Sequence, residues 1–253
     1  MSEDEVWRQT DDDSPFTEIT RAQVVLAAAA QALADRARRW VYVSDTRPSA
    51  ELIDDAARLV RDAQEVMEYA VVVVRAGGVS WEDIGEQLDI SRQSAHQRYA
   101  EVERRWKDAL DHPDGVNEIG QRYSRLPYGA ADTARIAARL DKWAVRHQEP
   151  TDSRAGHPDA PVSGGLRRMG PLEEDLWLDQ RQRLLWDEHL SPPAELLAPL
   201  YDRQAVLADR LADGGITPDA NRRAAARHRD LAAGIRARAH AATDTTEPPA
   251  GAV

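Results

Sequence analysis

The chain has 253 residues, a formal net charge of −11, no cysteine and 42% hydrophobic residues. Alanine fills 42 of the hydrophobic positions, so large apolar side chains are few and point to several small helical packings rather than one deep barrel or sandwich core. The lack of cysteine excludes a disulfide scaffold and a cysteine-ligated zinc site, and apolar runs such as Ala70–Val74 are far too short to span a bilayer.

Alanine abundance and 31 Arg against 2 Lys favour helices, since Ala and Arg rank among the best helix formers. The expected fold class is all-α. Residues 1–20 hold seven acids against Arg8, so more than half of the net charge sits at one end. Residues 1–16 read as a disordered acidic tail. This N-terminus is acidic where a signal peptide is basic and then apolar, and the expected location is the cytoplasm, with the nucleoid when bound to DNA.

An N-terminal helical domain is expected over 17–147. Its first helix runs from about Thr20 to Val43 and is alanine-rich. Ser44-Asp45-Thr46-Arg47-Pro48 breaks it. The next helix has the clearest periodicity: Leu52, Ile53, Ala56, Leu59, Val60, Ala63, Val66, Met67, Ala70, Val71 and Val74 keep i, i+3, i+4, i+7 spacing, with charges on the other face. Val71–Val74 alone would favour a strand, but the quartet continues the helical stripe until Gly77-Gly78 stops it.

Residues 78–99 contain two helix starts eleven residues apart. Ser80 with Asp83 is a capping-box variant, and Ser91 caps a second helix after a tight turn. The first helix, about eight residues long, needs packing to form. Its inward residues are Trp81, Ile84 and Leu88. Gly85 leaves room for the next helix, whose side of the small core is Ile90, Ala95 and Tyr99. This is the pattern of a helix-turn-helix at 79–99.

GGVSWEDIGEQLDISRQSAHQRY resembles the helix-turn-helix of actinobacterial DNA-binding proteins. It is also similar to the DNA-reading region of sigma factors and to the C-terminal module of serine recombinases. The resemblance covers about residues 75–106 and implies sequence-specific binding of double-stranded DNA in the major groove. Asp89 stands where the pattern has glycine; Asp tolerates the left-handed conformation better than most residues.

On the second helix, Ala95, Tyr99, Val102 and Trp106 form the packed face. Gln93, Ser94 and Gln97 lie toward the opposite arc, near the N-terminus, as base-reading candidates; glutamine can bond adenine N6 and N7 together. Arg92, Arg98 and Arg104 are candidates for guanine or phosphate, and the Ser91 hydroxyl with the helix N-terminus for phosphate. Between Ser91 and Lys107 five basic side chains stand against two acids, whereas Ser80–Ile90 has four acids and no base.

His112-Pro113-Asp114-Gly115 then breaks the helix, and a further one is expected over Ala131–His147 with Ile136, Leu140 and Trp143 on one face. Residues 148–171, with Pro, Gly, Ser and Asp throughout, read as a linker. A C-terminal helical bundle or hairpin is expected over 172–242, with helices 172–190, 194–213 and 218–242, then a disordered tail over 243–253. Asp175, Asp179 and Asp187-Glu188-His189 lack metal-ligand spacing, so no metal is expected. The arginines of the last helix read as a solvated face. His112, His147, His157, His228 and His240 read as surface or loop residues without partners. With no catalytic motif or cofactor fingerprint, the expected protein is a non-enzymatic, cofactor-free DNA binder. Its expected role is transcriptional regulation, as a homodimer with no membrane contact; an effector is not legible. A plasmid, phage or chromosome-maintenance factor, or a helical adaptor that binds protein through 172–242, are the alternatives.

Overall fold

The structure, a computed structural model, describes residues 15–41, 50–147 and 157–244. Most of both expected tails, and residues 148–156 of the expected linker, lie outside the described residues. Among the described residues the chain is all-α, with nine α-helices and one two-stranded sheet. None of these helices is long and apolar enough to cross a membrane. The chain divides into two compact units, one containing Phe16–Leu110 and Leu126–Arg167, the other Asp111–Arg125 and the residues from Arg168 onward.

In the first unit, helix α1 (Glu18–Arg38) starts at Thr17, whose hydroxyl accepts the Thr20 N–H at 3.3 Å. It ends earlier than Val43: a single 3-10 turn over Arg39–Val41 follows, and Tyr42 and Val43 lie outside the described residues. Helix α2 (Glu51–Ala76) packs along α1, and its Val71–Val74 quartet is helical. Helices α3 (Trp81–Gln87) and α4 (Arg92–Asp111) follow. Trp106 of α4 joins Ala22, Val25, Val72 and Ala130 in one apolar cluster, and its indole N–H donates to Glu18 at 3.1 Å. The helix expected over Ala131–His147 is α6 (Thr133–His147), preceded across Asp132 by the single-turn α5 (Tyr128–Ala131). Ile136, Ala137 and Leu140 of α6 close on Val24.

Residues 157–167, which composition places in a linker, are docked on this unit. Val162 and Leu166 pack against the α1–α6 cluster. An Asp141 carboxylate oxygen accepts the Val162 and Ser163 N–H groups at 2.7 and 3.0 Å. The Thr20 hydroxyl accepts the Arg167 N–H at 3.1 Å. Two polar side chains thus satisfy backbone donors that a free linker would leave to water.

The second unit opens with a hairpin absent from the sequence reading: β1 (Asp114–Val116) pairs antiparallel with β2 (Arg122–Ser124). Its turn is built on Asn117, whose side-chain oxygen accepts the Ile119 and Gln121 N–H groups at 3.2 and 2.8 Å. Helices α7 (Pro171–Glu188), α8 (Ala194–Asp213) and α9 (Pro218–Asp244) complete it. The last helix therefore runs through Thr243 and Asp244, two positions expected in a disordered tail. Helix α8 is central. Its Leu196, Leu200, Leu207 and Leu211 meet Leu178 and Leu185 of α7, while Leu197 and Ala198 meet Ala232 and Ile235 of α9. Glu174, fully buried, is held between Arg203 and Arg210.

Candidate nucleic-acid interface

The segment 80–99 is positioned by local chemistry at each end of a short helix. The Ser80 hydroxyl accepts the Asp83 N–H at 3.1 Å, and the Asp83 carboxylate accepts the Ser80 N–H at 3.1 Å and its hydroxyl at 2.7 Å. These bonds hold the Asp83 carboxyl below the usual carboxylate range, the side-chain bond from Ser80 contributing most. At the other end Gly85 accepts the Ile90 N–H at 2.9 Å. A Cβ at Gly85 would stand 2.8 Å from the Ile90 carbonyl oxygen and 3.1 Å from the Arg92 nitrogen, so the turn closes against the helix only because the side chain is absent. Asp89 takes φ 54°, the left-handed region.

This turn brings α3 and α4 onto one apolar cluster. Val71 of α2, Ile84, Ala95 and Tyr99 are buried together, with Trp81, Leu88 and Ile90 partly buried against them. The seven motif-core residues, Gly85 included, therefore share one site. Val71 also belongs to it. Its place in the helical stripe of α2 marks it as inward but does not say which neighbour it meets.

The predicted reading residues lie along the exposed N-terminal half of α4. Arg92, Gln93, Ser94, Gln97 and Arg98 are all exposed, and among the described residues Arg92, Gln93, Gln97 and Arg98 have no side-chain hydrogen bond or ion pair. Ser91 caps α4: its hydroxyl oxygen accepts the Ser94 N–H at 3.1 Å and lies 2.9 Å from the Ser94 hydroxyl. Two hydroxyl protons serve one bond between them, so one is left to point outward. With the free N–H groups of the first turn it forms a donor set suited to a phosphate oxygen.

Arg104 differs. Its guanidinium binds Glu101 through two nitrogens, at 2.9 and 2.6 Å, which lowers the Glu101 carboxyl below its usual range and raises the Arg104 guanidinium above its own. Glu101 thus holds Arg104 closely, with Arg105 at 3.9 Å from the same carboxylate, while Arg92 and Arg98 at the N-terminal half of α4 have no acidic partner among the described residues.

The sequence reading missed the side chains that anchor α4 from behind. Arg75, at the end of α2, donates to the Val79 carbonyl at 2.6 Å and to Glu103 at 3.2 Å, and lies 4.8 Å from the centre of the Trp81 ring. Glu103 also accepts from Lys107 at 2.8 Å. Burial pushes the Glu103 carboxyl upward, but the bonds from Lys107 and Arg75 outweigh it and the net shift is downward. His96 meets Trp81 edge-on at 5.4 Å. Spacing marks Trp81 as inward, but no sequence signal points to Arg75 or to its stacking on that ring. No protein family, curated protein or solved structure matches the chain.

Elsewhere, three histidines expected to lack partners have them. His112 pairs with Glu188 at 3.1 Å, His147 packs on Trp143 at 4.4 Å and His228 stacks on Tyr201 at 5.9 Å. These partners come from distant positions or from helical i, i+4 geometry, which motif spacing does not report. In the last helix Arg229 and Arg236 pair with Asp209 and Asp202 of α8, so part of its arginine face serves helix packing.

Proposed function

We propose that α3, the turn and α4 act as a helix-turn-helix that binds double-stranded DNA sequence-specifically, and that the protein regulates transcription. The observation that carries this reading is the division of labour on α4. One face is consumed by packing and by the Arg75–Glu103–Lys107 bonds, while the N-terminal outer face offers two uncompensated guanidiniums, two free amides and a capped helix start. Gln93 and Gln97 supply paired donor and acceptor groups for a base edge, Ser94 a shorter one, and Arg92 and Arg98 supply phosphate or guanine contacts. One reading helix makes few contacts, so the protein works as a homodimer on two half-sites about one DNA turn apart.

Selection of bound sequences from random DNA tests this. The wild type enriches a site, whereas Gln93→Ala/Gln97→Ala loses sequence preference but keeps salt-sensitive affinity, and Arg92→Ala weakens binding to all sequences, with a salt slope smaller by about one. Failure of the wild type to enrich any sequence would overturn the reading and favour a protein-binding role for the C-terminal helices.

A further inference from the structure

Helix α7 turns a buried side toward α8, with Leu178, Leu185, Glu174 and the ion-paired Arg181. On the opposite side it exposes large apolar residues: Leu172 at 56%, Leu176 at 59% and Trp186 at 49%, followed by Leu190, fully exposed two residues past the helix end. At 3.6 residues per turn, Leu172, Leu176, Asp179, Arg183 and Trp186 fall within about 40° of one line along the helix. A stripe of this kind, with only two charges at its middle, is unusual on a free surface.

The order of residues along the stripe identifies what covers it. Counted from position 181, Leu176 and Trp186 are equidistant, Asp179 and Arg183 are equidistant, and so are Leu172 and Leu190. An antiparallel copy of the same helix, related by a two-fold axis at position 181, therefore sets Leu176 against Trp186 and Asp179 against Arg183, each twice, with Leu172 and Leu190 toward the two ends. Apolar residues meet apolar residues, and each charge meets its opposite. A parallel copy would instead set Asp179 on Asp179 and Arg183 on Arg183. Among the described residues neither Asp179 nor Arg183 is in an ion pair; Arg183 donates only to the Asp179 backbone carbonyl, at 3.3 Å. The nearby acids Asp175 and Asp187 lie about 60°, and Glu173 about 100°, round the helix from this line, at the rim of the stripe.

We propose that α7 is the self-association surface of this protein, pairing antiparallel with α7 of a second copy across a two-fold axis. A closed, isologous interface of this kind needs one self-complementary patch, and the stripe meets that condition in both shape class and charge. The assignment gives the proposed DNA reader its two-fold partner, but it rests on α7 alone.

Two experiments on the full chain test it. In sedimentation the wild type is a dimer, Asp179→Arg and Arg183→Asp each raise the dissociation constant about tenfold or more, and the double variant Asp179→Arg/Arg183→Asp recovers the dimer because the charges again oppose. Because the chain has no cysteine, single cysteines report register directly. Chains carrying Leu176→Cys mixed with chains carrying Trp186→Cys form a disulfide-linked dimer under mild oxidation. Neither forms one alone, since its two thiols are separated by about 15 Å along the seam. A monomeric wild type, a cross-link from Leu176→Cys alone, or charge variants that dimerise as well as wild type overturn the proposal. A monomer that still selects a DNA sequence defeats this interface and leaves the DNA reading standing; a dimer that selects none does the reverse.

Discussion

Replacing Gly85 by alanine tests whether the approach of the turn to α3 is as close as the geometry requires. In an open helix the change stabilises, because alanine is favoured over glycine by about 1 kcal/mol. At Gly85 the new Cβ would meet the Ile90 carbonyl oxygen at 2.8 Å and the Arg92 nitrogen at 3.1 Å. Both are backbone atoms, one in the turn and one in the first residue of α4, so no side-chain rotation relieves the contact. Overpacking of this sort costs about 1–3 kcal/mol, which cancels the propensity gain and leaves a net loss of up to about 2 kcal/mol. Gly234, within α9, is the internal control. Its added Cβ would meet only the Arg238 guanidinium, at 3.7 Å, so Gly234→Ala should stabilise by about 0.5–1 kcal/mol. Urea unfolding gives the two signs, and hydrogen exchange at the Ile84 and Ala95 amides locates the loss in the α3–α4 cluster. Because the strain displaces the start of α4, affinity for the selected DNA site should fall with it. If Gly85→Ala were as stabilising as Gly234→Ala, the close approach, and the argument for why glycine occupies this position, would be wrong.

Further expectations concern the same segment and the acidic N-terminus. Glu103→Gln should cost about 1.5–3 kcal/mol near neutral pH by leaving Arg75 and Lys107 without their shared carboxylate. The folded Glu103 carboxyl lies below its unfolded value, so its contribution is complete above the ordinary Glu range and fades as the pH falls through the folded value. The gap between wild type and Glu103→Gln in urea midpoints should therefore close in acid, and a gap independent of pH would count against the bond network. At Asp89, held at φ 54°, substitution by valine should destabilise by about 1–2 kcal/mol and substitution by glycine should not; equal effects of the two would show that backbone strain is not what selects the residue. Removing residues 1–14, with six of the chain's acids, should raise affinity for random DNA at low salt and leave it unchanged at high salt. No change at low salt would mean that the tail does not compete for the Arg92–Arg98 surface.

What could be read from the sequence was what is local. The caps at Ser80 and Ser91, the inward set from Trp81 to Tyr99 and the helicity of Val71–Val74 follow from spacing within one or two turns, and the structure has them in place. What escaped depends on groups far apart in the chain or on local geometry without a periodic signal. Residues 157–167 look like linker until Asp141 and Thr20 are seen to receive their backbone N–H groups. The β1–β2 hairpin has strands too short for a periodic signal, and only Asn117 and Gly120 mark its turn. The outward position of Arg104 on its helix is legible in the sequence, whereas its ion pair with Glu101, three residues earlier on the same exposed surface, depends on side-chain conformation.

The exposed residues at the start of α4 have a consequence for how such a surface can change over time. Gln93, Gln97, Arg92 and Arg98 bear no packing or hydrogen-bonding duty toward the rest of the described chain, and replacing side chains of that kind usually shifts stability by no more than about 0.5 kcal/mol. The residues that shape the segment, from Trp81 to Tyr99 on the inner face, are a different set. Under the proposed function, recognition and folding are thereby uncoupled at adjacent positions of a single helix. Substitutions could retarget the outer face one residue at a time without passing through unfolded intermediates, whereas the inner face tolerates little and preserves the presentation geometry for whatever the outer face comes to read.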